Sequence, residues 1–149
     1  MRAVAQRVSS ASVLVDGETV GAIGPGILAY VGVADGDTDT DLEYVAQKLA
    51  GLRIFPDDAG KMSLSVSDTS RDILIVSQFT LFGDVRNGRR PSFTGAAAPE
   101  LASAYCDRLA SRLGELGLRV ATGRFRASML VRADVDGPVT ILVDSRKLF

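Results

Sequence analysis

Ile73-Leu74-Ile75-Val76-Ser77-Gln78-Phe79-Thr80-Leu81-Phe82 reads as a buried strand interrupted by three polar side chains. Burying an amide or hydroxyl without a hydrogen bond costs about 1–3 kcal/mol. Ser77, Gln78 and Thr80 therefore mark either the end of a strand or a site. The segment that follows, Asp84-Val85-Arg86-Asn87-Gly88-Arg89-Arg90-Pro91-Ser92-Phe93, is turn-rich and carries three arginines. Arg86, Arg89 and Arg90 read two ways, as a grip on a polyanion or as a solvated loop.

Working outward, the flanking pattern sets the fold class. Residues 2–8 and 11–15 are extended, and Asp16-Gly17 between Val13-Leu14-Val15 and Glu18-Thr19-Val20 predicts a hairpin with a type I′ turn. After Gly24-Pro25-Gly26, the apolar run Ile27 to Val33 predicts a central strand. Asp35-Gly36-Asp37-Thr38 then opens a helix whose Leu42, Val45, Ala46, Leu49 and Leu52 share one face. A short strand is expected over residues 63–66. Pro99 starts a second helix, with Leu101, Tyr105, Leu109, Leu113 and Leu116 on one face before Gly117. Leu118 to Ala121, Met129 to Ala133 and Val139 to Val143 predict closing strands, and residues 145–149 a tail prone to fraying. Strands cluster at both ends with two helices between them. The expectation is a single α+β domain over residues 1–149 with a largely antiparallel, barrel-like sheet.

Composition narrows the chemistry. The 149 residues suit one domain with one core, and 46% hydrophobic with 23% charged residues is the profile of an ordinary globular chain. No segment is apolar enough to span a bilayer and no signal-peptide core opens the chain, so a cytoplasmic location is expected. The net charge of −1 makes the whole molecule a poor magnet for nucleic acid, although the arginines crowd into the second half. The lone Cys106 sits on the second helix as a small buried thiol. Histidine is absent. That absence excludes Ser-His-Asp and Cys-His catalysis, histidine-ligated metals and imidazole acid/base chemistry within the chain. What remains are hydroxyls, carboxylates, amides, backbone groups and the substrate itself.

Asp136-Gly137-Pro138-Val139-Thr140 taken alone is a turn before a strand. Taken with Ser77-Gln78-Phe79-Thr80, Gly88-Arg89-Arg90-Pro91-Ser92-Phe93 and Thr122-Gly123-Arg124-Phe125, it resembles the D-aminoacyl-tRNA deacylase family. The resemblance runs along the whole chain, through Gln6-Arg7-Val8, Ala11-Ser12-Val13, Leu52-Arg53-Ile54-Phe55 and Gly60-Lys61-Met62. It implies a cytoplasmic homodimer, without metal or cofactor, that hydrolyses the ester joining a D-amino acid, or glycine, to the terminal adenosine of tRNA. Ser77, Gln78, Phe79 and Thr80 would line the reaction centre, and Gly137-Pro138, held by Arg7, would enter the partner subunit's pocket as a cis dipeptide. Ala102, Phe125 and Met129 match the adenosine pocket, although a Phe and a Met at this spacing equally suit a core. Arg86, Arg89 and Arg90 match positions near the acceptor stem.

The resemblance carries a physical logic. A narrow wall of fixed backbone carbonyls would take the α-amino group and leave no room for an L side chain, while glycine passes. Without histidine, Thr80 lacks an activating base, so the 2′-hydroxyl of the terminal ribose would assist attack or position water. Backbone N–H groups near Phe79 and Thr80 would stabilise the oxyanion. Two positions depart from the family: Arg126 stands where it has a small residue, and Ser128 where it has Asp. Arg126 offers a phosphate one more contact. Two other readings stay open, an inactive tRNA-binding homologue and a hydrolase of another small ester.

Overall fold

The computed structural model describes residues 1–148, ordered around one long strand. β1 (Arg2–Val15) turns through Asp16-Gly17 into β2 (Glu18–Ile23), and both turn residues have positive φ, 51° and 83°, as a type I′ turn requires. β3 (Gly26–Gly32) pairs antiparallel with residues 2–8 of β1. α1 (Asp39–Gly51), the small hairpin β4 (Phe55–Pro56) and β5 (Met62–Leu64), and β6 (Asp72–Ser77) follow. A single 3₁₀ turn spans Phe79–Phe82, and α2 (Pro99–Glu115), β7 (Arg119–Thr122) and β8 (Leu130–Asp144) complete the chain.

β8 pairs with β1 over almost the full length of both, so the expected strands at 129–133 and 139–143 are one strand running through Gly137-Pro138. Residues 2–8 and 11–15 are likewise one strand, with register shifts against β8 between Gln6 and Ser10. The main sheet runs β2-β1-β3-β6-β7, with β8 on the other edge of β1. It curls back on itself where Gly21 of β2 meets β7. A methyl group placed on Gly21 would lie on the Thr122 carbonyl, so only glycine permits this approach.

Most pairings are antiparallel, as expected, but the sheet is mixed. β3, β6 and β7 are parallel to one another, because each is joined to the next by a long connection that carries a helix and returns the chain in the same direction. Both faces of these strands are consequently covered. Ile27, Ala29, Val31, Ile73 and Ile75 face the helices, while Leu28, Leu74 and Val76 join Val8, Ala11, Val13 and Ile23 inside the barrel. Two-sided burial explains their nearly unbroken apolar sequence.

α1 begins where Thr38 predicts, and Leu42, Val45, Ala46 and Leu49 are buried as expected, with Leu52 at the margin. On α2 the buried face is Ala102, Tyr105, Cys106, Leu109 and Leu113, whereas Leu101 is exposed. The helices are tied by Arg112, which donates to both oxygens of Glu43 at 2.8 and 2.9 Å. Those bonds, with one from Gln47, hold the Glu43 carboxyl down at about 2. The expected strand at 63–66 forms at 62–64 and pairs only with β4. The tail is anchored at least as far as Ser145 and Arg146, whose side chains bond Asp41 and Asp37, while Phe149 lies outside the described residues. Among the described residues no helix is long and apolar enough to cross a membrane.

Asp41 knots α1 to the ends of the sheet. It accepts hydrogen bonds from the Thr38 N–H and hydroxyl at 2.8 and 2.9 Å and from the Ser145 hydroxyl at 2.6 Å. Burial works against its ionisation, but these bonds and the nearby terminal ammonium outweigh it and hold the carboxyl at about 2. A folded-state value below the unfolded one stabilises the fold above about pH 4, and that stability is lost as pH falls towards 2. The contribution is at most about 2 kcal/mol. Asp41→Asn should therefore lower stability near neutral pH and flatten its decline between pH 4 and 2, read by urea unfolding. A variant whose decline parallels the parent's would show that Asp41 does not carry it.

Candidate functional site

The polar interruption lies where two parallel strands end together. Val31 of β3 and Ser77 of β6 are register partners, and the Gln78 N–H continues the ladder by donating to the Val31 carbonyl at 2.7 Å. The chain then leaves the sheet. Residues 73–82 are thus not one strand: β6 stops at Ser77, and Phe79–Phe82 wind as the 3₁₀ turn, with Leu81 N–H on the Gln78 carbonyl and Gly83 N–H on the Thr80 carbonyl. Arg2 holds this turn from β1, stacking 4.7 Å above the Phe82 ring and donating to the Leu81 carbonyl at 3.0 Å. Gly32 makes room for it, since a methyl there would stand 2.9 Å from the Gln78 carbonyl and 3.0 Å from the Phe82 ring. Phe79 projects outward, more than half exposed, with Phe93 edge-on at 5.0 Å.

The opposite wall comes from the start of α2 and the loop after β7. The Gly123 N–H donates to the Ile75 carbonyl at 3.0 Å, and the loop turns back through Arg126, whose φ is +61°. Gly123 admits the Met129 sulfur, which sits 2.8 Å from where a Cβ would be. Between the walls lies a cavity of about 440 Å³, within the ordinary range of about 300–1,000 Å³ for small-molecule sites. Ser77, Gln78 and Phe79 line it together with Ala102, Phe125 and Met129, so two groups of sequence candidates meet in one place. Thr80 is not in the lining and is exposed on the 3₁₀ turn.

Behind the cavity a recess of about 50 Å³ is bounded by Ser77, Cys106, Phe125 and Met129. Burial pushes the Cys106 thiol up to about 11, against a hydrogen bond with Ser77 that pulls the other way. It is a neutral thiol at physiological pH, not a nucleophilic thiolate. Among the described residues no group of side chains is arranged to hold a metal ion.

The remaining candidates lie elsewhere on the surface. Arg7 reaches from β1 to the Ile54 carbonyl at 2.7 Å, the Asp136 carbonyl at 3.3 Å and the Asp136 carboxylate at 2.9 Å. Its side chain is nearly buried and lies against Gly137. The Gly137-Pro138 bond is cis, and both residues are exposed and absent from the cavity lining. Arg86 donates to both carboxylate oxygens of Asp84, at 2.6 and 2.9 Å, and holds that carboxyl down at about 2. Arg89 and Arg90 are exposed and form no ion pair among the described residues. Their loop is closed by the Asp84 to Ser92 bridge.

Several lining residues carry no sequence signal. Val31 and Val33 read as core, and Ala96 and Ala97 are unremarkable loop residues until the fold sets them beside Phe79. Phe93, which closes the Gly88-Arg89-Arg90-Pro91-Ser92-Phe93 stretch that carries part of the resemblance, lines the cavity without having been singled out for it.

Comparison with known proteins covers nearly the whole chain. The sequence pattern of D-Tyr-tRNA(Tyr) deacylase matches residues 4–144. A D-aminoacyl-tRNA deacylase of Thermotoga petrophila is 57% identical over 149 residues, and one of Sorangium cellulosum 56% identical over 150, each alignment covering both chains completely. A solved chain described as a c-Myc DNA unwinding element binding protein superposes with a TM-score of 0.91 at 41% identity, covering 97% of this chain and 98% of its own. A second, described as a probable eukaryotic D-amino acid tRNA deacylase, shares the fold at a TM-score of 0.83 and 22% identity, covering 96% of this chain and 98% of its own. With the match spanning nearly every element that builds the cavity, the chain belongs to the D-Tyr-tRNA(Tyr) deacylase family.

Proposed function

We propose that the protein hydrolyses the ester of D-aminoacyl-tRNA, and of glycyl-tRNA, in the cavity at the ends of β3 and β6. One observation carries the reading: Ser77, Gln78 and Phe79 share this cavity with Ala102, Phe125 and Met129. The cavity is walled mainly by apolar and aromatic groups, as a nucleoside end requires, and stacking one base on an aromatic contributes about 1–3 kcal/mol. The net charge of −1 favours a single-stranded end entering a cleft over a duplex bound along a face.

The chemistry follows from what the cavity lacks. It holds no histidine, and the nearby thiol is neutral, so no side chain there acts as a general base near pH 7. Water attacks the ester carbonyl, assisted by the 2′-hydroxyl of the terminal ribose. The negative charge that develops on the carbonyl oxygen falls to the Phe79 N–H, which opens the 3₁₀ turn at the cavity wall and has no acceptor within the turn. Thr80, outside the cavity, is not the nucleophile.

Chiral selection in this reading needs a second copy of the chain. Gly137 and Pro138 are exposed and follow Asp136, which Arg7 holds, but they do not line their own subunit's cavity. Leu130, Val135 and Leu142 on the same strand expose apolar surface that a partner would cover. In the dimer the backbone carbonyls of this segment would face the α-carbon of the substrate and clash with an L side chain.

Incubation with D-, L- and glycyl-tRNA, following amino acid release, should show loss from the D and glycyl substrates and sparing of the L form; inertness towards all three would end the assignment. Thr80→Ala should keep deacylation within about tenfold of the parent, since removing a true nucleophile costs up to about a millionfold. Its complete inactivation with unchanged tRNA binding would restore a nucleophilic Thr80. Light scattering should give a mass twice that of the chain. An active, strictly monomeric, D-selective enzyme would refute the crossing segment.

A further inference from the structure

Arg126 is the one charged side chain among the described residues that line the cavity. It stands at the mouth with its side chain about two-thirds exposed, and its guanidinium reaches Glu100 in the first turn of α2 at 3.6 Å. Glu100 is more exposed still, so the pair is solvated and weak. At 3.6 Å it is an ion pair without close hydrogen-bond geometry, and its partner is easily exchanged. The backbone at Arg126 is left-handed, which a non-glycine residue adopts only where its surroundings hold it, here with the Ala127 N–H bonded back to the Arg124 carbonyl. The backbone thus sets where this side chain leaves the loop, at the rim of an apolar cavity, with its cation beside a carboxylate that holds it only loosely.

We propose that Arg126 is a specificity-determining residue that grips the phosphate on the 5′ side of the nucleoside seated in the cavity, leaving Glu100 when the ligand enters. The inference rests on the reading of the cavity as a site for a nucleic-acid 3′ end. A nucleoside whose base lies against Phe125 and Met129 must send its 5′ phosphodiester out through the mouth, where Arg126 is the cation lining the cavity. Arginine suits the task because its planar fork can donate two hydrogen bonds to phosphate oxygens. Glu100 offsets part of the cation's pull on free anions, so the phosphate of a seated nucleoside, which gains contacts elsewhere, is favoured over them.

The test compares adenosine with adenosine 5′-monophosphate as ligands of the full-length protein, by calorimetry at low salt. The parent should bind the monophosphate about three- to tenfold more tightly, as expected for one exposed charge-assisted contact. Arg126→Asn removes the charge while tolerating the left-handed backbone, and it should abolish that preference without weakening adenosine. Arg126→Lys should restore part of it, and Glu100→Gln should enlarge it. With D-aminoacyl-tRNA, Arg126→Asn should lower kcat/KM mainly through KM and reduce the log–log salt slope by roughly 0.7, one phosphate on a single strand. A monophosphate preference that survives Arg126→Asn overturns the proposal, as does an equal loss of adenosine and monophosphate binding, which would place Arg126 in the shape of the loop. Deacylation of D-aminoacyl-tRNA by the parent is measured alongside. Its absence would strike the functional reading, whereas its presence with no change in slope would strike Arg126 alone.

Discussion

β1 uses both of its hydrogen-bonding edges, and the rest of the molecule is arranged by how it does so. One edge is taken by β8 along nearly its full length, while the other is divided between β3 on residues 2–8 and β2 on residues 11–15. β2 and β3 follow one another on that edge in a single register, Ala11 opposite Ile23 and Val8 opposite Gly26, so the bend in β1 is set from its other edge. The register shifts against β8 between Gln6 and Ser10 are where it bends, next to the exposed Ser9 and Ser10. Past the bend, β2 swings over until Gly21 rests on β7, and the sheet is nearly closed. The core is thereby split into a layer beneath the helices and a smaller one inside the barrel.

This division places the site. With β1 directing β3 to the middle of the sheet, the chain returns through α1 and β6 parallel to it, and their carboxyl ends finish side by side at Val31 and Ser77. At that line β6 leaves the sheet, so its backbone needs other partners, and the sequence changes from Ile73-Leu74-Ile75-Val76 to Ser77-Gln78 there. The cavity is the space left where two strands stop and α2 has just begun. Gly32 and Gly123 keep its walls close: one lets the 78–82 turn lie against β3, the other lets Met129 sit against β7's exit.

What the sequence discloses is local, and what it hides depends on pairing. Asp16-Gly17, Thr38 and Pro99 act through the backbone of their immediate neighbours, so the hairpin and both helix starts form where they are expected. The direction of β3, β6 and β7 is not local. A strand buried on both faces is apolar whichever way its partner runs, and the parallel pairings were therefore hidden in Ile27 to Val33 and Ile73 to Val76. Gly137-Pro138 looked like a break between two strands because proline lacks a donor, yet it lies inside β8 beside the irregular part of β1, where ladder bonds are already interrupted. The site was legible to the same extent. Polar atoms in an apolar run marked Ser77 and Gln78, whereas Phe125, Met129 and Ala102 stood out only through resemblance, and Thr80 stood with its neighbours until the turn carried it away from the cavity.

The electrostatics of the cavity follow from the same economy of polar groups. A catalytic site usually works with a titrating side chain, and burial here would make one costly: at the back of the cavity it already drives the Cys106 thiol up to about 11. Asp84 is bound by Arg86 and Glu43 by Arg112, so the strongly held carboxylates of this protein serve its loops and helix contacts rather than the cavity. Backbone N–H and carbonyl groups avoid that cost, since they carry no net charge to desolvate and are held by the strands that produce them. A site built on them would not be tuned by protonation but could be exact in shape, and the proposed discrimination of a hydrogen from a side chain at one carbon is a problem of shape. In that proposal the histidine-free composition and the reliance on the ends of β3 and β6 are two aspects of one solution.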